Sequence, residues 1–325
     1  MKNWSLPKML LAGVAAGLVL FALVANFVFS NNGSDVEPTA NPSPTLTREG
    51  DTGRIQVVTS TRVWAEISEL LASEWVEVVS LVPENQNPES YQPSAEDFEV
   101  LSEAELVIAN GGGYDDFLGE MVEEADFEGV YLSLVEANPD HVEGADPHIW
   151  YDFELTLAAS EQIVQTVLEL RPEAFDEVTT GFDFFISEMA NLRVRLEALR
   201  ERALGFGFVA SEPVANLMFA RAGFDDLTPN LMKAAITDRT EPPASSVTQA
   251  AELLSNRVAD ILVVNIDATD SLTAELVAAA ETGNRPIIRV AQTGYLDLGD
   301  GSGVQQLNYL DWMAWIIDQV QEAIY

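Results

Sequence analysis

One segment constrains the fold of this chain more than any other. From Pro172 to about Ala203, apolar residues recur at helical spacing: Phe175, Val178, Phe182, Phe185, Met189, Leu192, Leu196 and Leu199. Pro172 suits a first helical turn, and Gly205 with Gly207 end the element. On either side, short β-branched runs alternate with helical periodicity. The runs before it are Ile55–Thr59, 76–82 and Leu106–Ala109, interleaved with helical patterns at 63–72, 95–104 and 117–122. The runs after it are Gly207–Ala210, Ile261–Asn265 and 286–290. Strands alternating with helices make βαβ units and a mainly parallel sheet. The expected fold class is therefore α/β in two lobes, 54–171 and 205–325. Each is a mainly parallel sheet with flanking helices, and one connecting helix at 172–204 joins them. An internal echo agrees: IQVVTSTRVWAEISELLAS opens the first lobe and FGFVASEPVANLMFARAGF the second, both reading strand, polar loop, helix.

The first thirty residues read as a membrane-targeting segment. Lys2 and Lys8 precede residues 9–29, where Asn26 is the only polar side chain. That run approaches the ~20 residues needed to span a bilayer, and the positive-inside rule puts the remainder of the chain outside. Its length favours an uncleaved anchor. A cleaved signal peptide, with Ala25 or Ser30 as the small residue before the cut, is the alternative. Residues 31–53, rich in Asn, Ser, Thr, Pro and Gly, read as a flexible tether.

Charge and composition exclude whole classes of function. Against 53 Asp and Glu stand only 16 Lys and Arg, a formal net charge of −37. Nucleic acid is no partner for such a surface, because neutralising phosphate needs a basic face. The same excess of acid suits a salty habitat. Without cysteine there are no disulfides, thiolate metal sites, thiol catalysis or lipidated cysteine. With only His141 and His148, a site made of several imidazoles is also excluded. The chemistry falls largely to carboxylates.

Ligands of parallel sheets bind outside the carboxyl ends of the strands, so polar residues just after strands are the candidates. Four segments qualify: NPESYQPSAED (87–97), ADPHIWYD (145–152), SEPVANLMFARAGF (211–224) and YLDLGDG (295–301).

DPHIWYD (146–152) resembles the DPHxWxD motif of the cluster A-I metal-binding proteins, the solute-binding subunits of zinc and manganese ABC transporters. NPESYQPSAEDFEVLSEAELVIANGGGYDDFL (87–118) is similar to that family's first metal loop and the strand after it. SEPVANLMFARAGF resembles its third ligand loop and helix, EPPAS (241–245) its EPSP-like stretch, and YLDWM (309–313) its last helix. These motifs, in order, cover nearly all of 54–325. The resemblance implies two α/β lobes, a rigid connecting helix and one metal ion between the lobes.

The resemblance also implies a ligand set. His148 falls on the family's second histidine, and Glu212 on the third position, where relatives carry His or Glu. Glu89 takes the place of the first histidine, and a carboxylate still binds Mn²⁺, Fe²⁺ or Zn²⁺. Asp297 is the nearest match to the family's final Asp, with Asp267 and Asp270 as fallbacks. His141 belongs to a loop that is often histidine-rich in zinc-specific members and here stands alone. The other ring nitrogen of His148 needs an acceptor to fix its tautomer, for which Asp146 and Asp152 are both near in sequence.

The implied function is an extracytoplasmic, membrane-tethered subunit that binds Zn²⁺ or Mn²⁺ as cargo and delivers it to an ABC permease, without catalysis. Two other readings stay open on the residues: a metallohydrolase with Glu89 or Glu212 as base, and a relative that has lost metal binding and serves in adhesion.

Overall fold

The computed structural model describes residues 53–84, 86–268, 270–298 and 304–325. The anchor expected at 1–30 and nearly all of the expected tether lie outside them. Among the described residues no helix is long and apolar enough to cross a membrane.

The first lobe is built on β1 (Ile55–Thr59), α1 (Arg62–Ala72), β2 (Val76–Ser80), α2 (Ala95–Glu103), β3 (Leu106–Ala109), α3 (Asp116–Glu124) and β4 (Val130–Ser133). Its strands run parallel in the order β2-β1-β3-β4. The central strand β3 is buried at every position. That burial explains its unbroken LVIA, because a parallel strand covered on both faces has no polar side to present. A short α4 (Leu134–Ala137) and a long α5 (Phe153–Leu170) complete the lobe.

The connecting helix is α6 (Phe175–Ala203), entered through a 3₁₀ turn at Pro172–Ala174. Its 29 residues extend roughly 44 Å at 1.5 Å per residue. Seven of them are buried, Val178, Phe185, Met189, Leu192, Leu196, Leu199 and Ala203, almost the stripe expected from the spacing. At Gly181 a Cβ would stand 2.4 Å from the carbonyl oxygen of Leu71, so α6 and the end of α1 touch backbone to backbone.

The second lobe comprises β5 (Gly207–Ala210), α7 (Asn216–Arg221), β6 (Asp225–Asp226), α8 (Asn230–Thr237), α9 (Ala244–Ser255), β7 (Ile261–Asn265), α10 (Ser271–Gly283) and β8 (Ile287–Val290). Its sheet is also parallel, in the order β6-β5-β7-β8. The order repeats that of the first lobe strand for strand, which extends the echo seen in the sequence. An antiparallel hairpin, β9 (Tyr295–Asp297) with β10 (Val304–Gln306), follows, and α11 (Tyr309–Ile324) closes the chain.

The apolar packing shows how firmly the lobes are joined. One cluster is continuous across them, holding Trp64, Tyr151 and Phe185 together with Phe208 and Trp312. Two smaller clusters cover the far faces of the sheets, one around Leu101, Val107 and Leu118, the other around Met232, Leu262 and Leu276. The lobes thus share a core on one side and leave their strand ends facing each other on another.

A candidate metal centre between the lobes

A cavity of about 1080 Å³ opens where the strand ends meet. Glu89, His148 and Glu212 all line it, and Asp270 does as well. Each reaches it for a local reason.

Glu89 sits in the 3₁₀ turn Pro88–Ser90 after β2, where the Asn87 side chain accepts a hydrogen bond from Glu89 N at 2.9 Å. The loop is anchored further on, because the Tyr91 hydroxyl donates to Asp97 Oδ2 at 2.9 Å and Ser94 with Asp97 forms the capping box of α2.

His148 is held far more tightly. The residue is 8% exposed, and its ring packs edge-on against Tyr114 and Trp150, with ring centroids 5.6 and 5.2 Å away. Asp146 Oδ1 accepts from both the backbone N and the ring Nδ1 of His148, at 3.0 and 2.7 Å. A carboxylate at Nδ1 puts the proton on that nitrogen and leaves the Nε2 lone pair as the ligating one. Of the two flanking aspartates, Asp146 therefore orients the imidazole. Asp152 instead ties the loop to its surroundings, with Oδ1 capping α5 and Oδ2 accepting from Arg221 Nε of the second lobe at 2.8 Å.

The loop under His148 is braced too. Asn110 donates to Pro147 O at 2.9 Å and accepts from Trp64 Nε1 at 3.1 Å. Asp115, 1% exposed, accepts from the backbone of Asn110 and Gly111 at 2.6 and 2.8 Å. Burial pushes its carboxyl up to about 6, against those hydrogen bonds.

On the other side, Glu212 stands two residues past the end of β5, and the Asn265 side chain at the end of β7 donates to its Oε2 at 2.5 Å. Burial raises its pKa, the Asn265 hydrogen bond opposes the shift, and the charges of Asp270, Asp267 and Glu89 add to it. Asp267 keeps exposed surface, yet desolvation raises its carboxyl as well, opposed by Gln292 N donating to Oδ2 at 3.0 Å. Asp270 caps α10 by accepting from Thr273 N at 2.8 Å. Asp297 lies on β9, exposed, and is not among the residues lining the cavity, nor are Asp267 and His141. Among the described residues, no three His, Asp or Glu side chains stand close enough together to hold an ion.

Hydrogen bonds cross between the lobes beside the cavity. The Tyr114 hydroxyl donates to Gln292 Oε1 at 2.8 Å, Tyr151 to Ala291 O at 2.6 Å, and Tyr309 to Trp150 O at 2.7 Å. Arg239 also reaches over, its Nε 3.4 Å from Glu89 Oε2. Tyr114, Asn265, Gln292 and Arg239 were not legible as site residues in the sequence. Only Asn265, the polar end of the apolar strand ILVVN, carries a local signal.

Two lobes, each on a parallel sheet, around an acidic cavity with one oriented imidazole define a two-lobed α/β fold with an interlobe site. Residues 57–323 match the family described as ZnuA, zinc-uptake complex component A, periplasmic, and the chain belongs to that family. The manganese-binding lipoprotein MntA of Halalkalibacterium halodurans is 28% identical over 141 residues, 42% of this chain and 47% of that protein. The metal ABC transporter substrate-binding lipoprotein FimA of Streptococcus parasanguinis is 27% identical over 168 residues, 47% of this chain and 52% of that protein. The chain thus spans about half the length of these curated relatives in such matches. The periplasmic zinc-binding protein TroA of Treponema pallidum superposes with a TM-score of 0.67 at 18% identity, covering 84% of this chain and 99% of that one. The FpvC binding protein of Pseudomonas aeruginosa, solved in complex with Mn²⁺, gives 0.68 at 18% identity over 83% and 98%. At such identities the likeness establishes the fold.

Proposed function

We propose that this protein is the extracytoplasmic binding subunit of a divalent-metal ABC importer, taking Zn²⁺ or Mn²⁺ as cargo between its lobes and passing it to a membrane permease. The observation that carries this reading is His148: a buried imidazole with Nδ1 fixed by Asp146, on a cavity it shares with Glu89 and Glu212. The donor set fits such a cargo. One nitrogen with several carboxylates is borderline to hard and can exceed four-coordination through bidentate binding, which suits Mn²⁺ while still accepting Zn²⁺.

Glu89 and His148 come from the first lobe and Glu212 from the second. For the fourth donor, Asp267 and Asp270 both follow β7: Asp270 lines the cavity, and Asp267 accepts a hydrogen bond from the N–H of Gln292, which lines it too. The donors are separate in the structure, so capture draws them together and the ion favours one arrangement of the lobes. Raised carboxyl groups at Glu212 and Asp267 are relieved by a +2 ion, which removes the repulsion among them. Residues 1–30 serve as anchor or leader and 31–53 as tether, holding the lobes near the permease. Titrating purified protein with Mn²⁺ and Zn²⁺ tests the reading: saturable binding of one ion per chain is expected, and failure of both metals to bind would refute it.

A further inference from the structure

Among the described residues that line the cavity, Arg239 is the only Lys or Arg. The others with formal charge are acidic: Glu89, Asp146, Glu212, Glu241, Asp270 and Glu275. Arg239 lies just past α8 with φ of +54°, the left-handed position that ends many helices and that glycine or asparagine usually fills. Its own N–H closes on Ile236 O at 3.0 Å, which fixes the backbone there. From that point the guanidinium crosses to the first lobe. Nη1 donates to Glu89 O at 3.3 Å, Nη2 to Gly113 O at 3.4 Å, and Nε stands 3.4 Å from Glu89 Oε2. All three contacts are long, and the arginine side chain is 56% exposed. The pair is weak by nature.

We propose that Arg239 is a charge-selecting residue of the site: a tethered cation that occupies the Glu89 carboxylate until a divalent ion displaces it, so that monovalent cations are refused. The inference rests on the metal-binding reading above. A chain of net charge −37 concentrates every cation at an acidic cavity, Na⁺ and K⁺ among them. A monovalent ion that took Glu89 from Arg239 would exchange one unit charge for another and forfeit the guanidinium's hydrogen bonds. A divalent ion doubles the Coulomb attraction and adds the Nε2 of His148 as a ligand. The weakness of the latch is what this role needs, since a bidentate buried pair would also keep out the cargo.

The test uses the full chain, with Mn²⁺ affinity measured by calorimetry in 0.1 and 1 M NaCl (roughly Debye lengths of 10 and 3 Å). Arg239→Gln removes the competitor, so it should bind Mn²⁺ more tightly at the lower salt, by up to about fivefold, the most a weak exposed pair contributes. It should also lose a larger factor of affinity than wild type on going to the higher salt, because Na⁺ now competes for Glu89. Arg239→Lys keeps the charge and should keep the wild-type salt factor. Equal salt factors in wild type and Arg239→Gln, weaker Mn²⁺ binding in Arg239→Gln at both salts, or a lysine variant that behaves like the glutamine one would overturn the proposal. Wild type that binds no metal would instead sink the functional reading itself.

Discussion

The two halves of the candidate site are built to different standards. In the first lobe, His148 is buried, packed edge-on against two aromatic rings, oriented by Asp146 and backed by Asn110 and Asp115. In the second, the polar groups are carboxylates on short strand-end loops, partly exposed, with Arg239 making only long contacts. A pre-aligned nitrogen faces an adjustable set of oxygens. Such a division suits capture and release, because the fixed half sets where the ion goes and the loose half sets how firmly it stays.

The largest expected effect lies on the fixed half. His148→Ala removes the one oriented nitrogen and should weaken Mn²⁺ or Zn²⁺ binding by more than about 100-fold, beyond what losing a supporting partner costs. The fold should survive, as circular dichroism would check. An affinity within a few-fold of wild type would erase the contrast between the halves.

The rigidity of that half has its own cost, carried by Asp115. Its carboxyl stands at about 6 in the folded chain against 3.8 as the ordinary value. A raised carboxyl favours folding most below the ordinary value, and that contribution is lost as pH rises through about 6. Asp115→Asn should therefore gain stability relative to wild type between about pH 4 and pH 7, by up to about 3 kcal/mol. Chemical denaturation across that range measures the difference, and a constant difference would show that Asp115 titrates normally.

Asp146→Asn tests the orientation of the imidazole alone. It should lower metal affinity by about 10–100-fold while leaving His148 in place. An unchanged affinity would mean that edge-on packing against Tyr114 and Trp150 suffices to hold the ring.

Smaller effects belong to the carboxylates, in either lobe. Asp267→Asn should reduce affinity several-fold, about one charge-assisted contact's worth, while Asp297→Asn should leave it unaltered. The reverse result would move the fourth donor onto β9. Glu89→His should raise the zinc-over-manganese affinity ratio, since imidazole is the softer ligand. Competition titrations read both, and a fixed ratio would place Glu89 outside the coordination sphere.

The same contrast governs what could be read in the sequence. The strands Ile55–Thr59, Leu106–Ala109, Gly207–Ala210 and Ile261–Asn265 match the structure to the residue, because buried parallel strands are rich in apolar, β-branched residues on both faces. The long helix was legible from its stripe, with its first turn observed as 3₁₀. The edge strands β4 and β6 carry weaker patterns, VYLS half-exposed and Asp225–Asp226 only two residues long, and were not legible. The helix α5 falls outside the expected elements as well, and β2 ends at Ser80, short of the expected 82.

In the candidate site, His148 and Glu212 sit in local motifs, and both line the cavity. Arg239 could not be read from the sequence, since its role depends on a left-handed helix end and a reach between lobes that no local pattern encodes. Asp297 follows a strand in the sequence; in the structure it ends β9 and, like Asp267, is not among the residues that line the cavity.

The most direct measurement is pulsed electron paramagnetic resonance of the Mn²⁺-loaded protein, which detects nitrogen bound to the metal. One divalent ion per chain is expected, with the coupling of a single imidazole nitrogen that disappears in His148→Ala. Bound Mn²⁺ without nitrogen coupling, or coupling that persists in His148→Ala, would contradict an ion held between the lobes by that histidine.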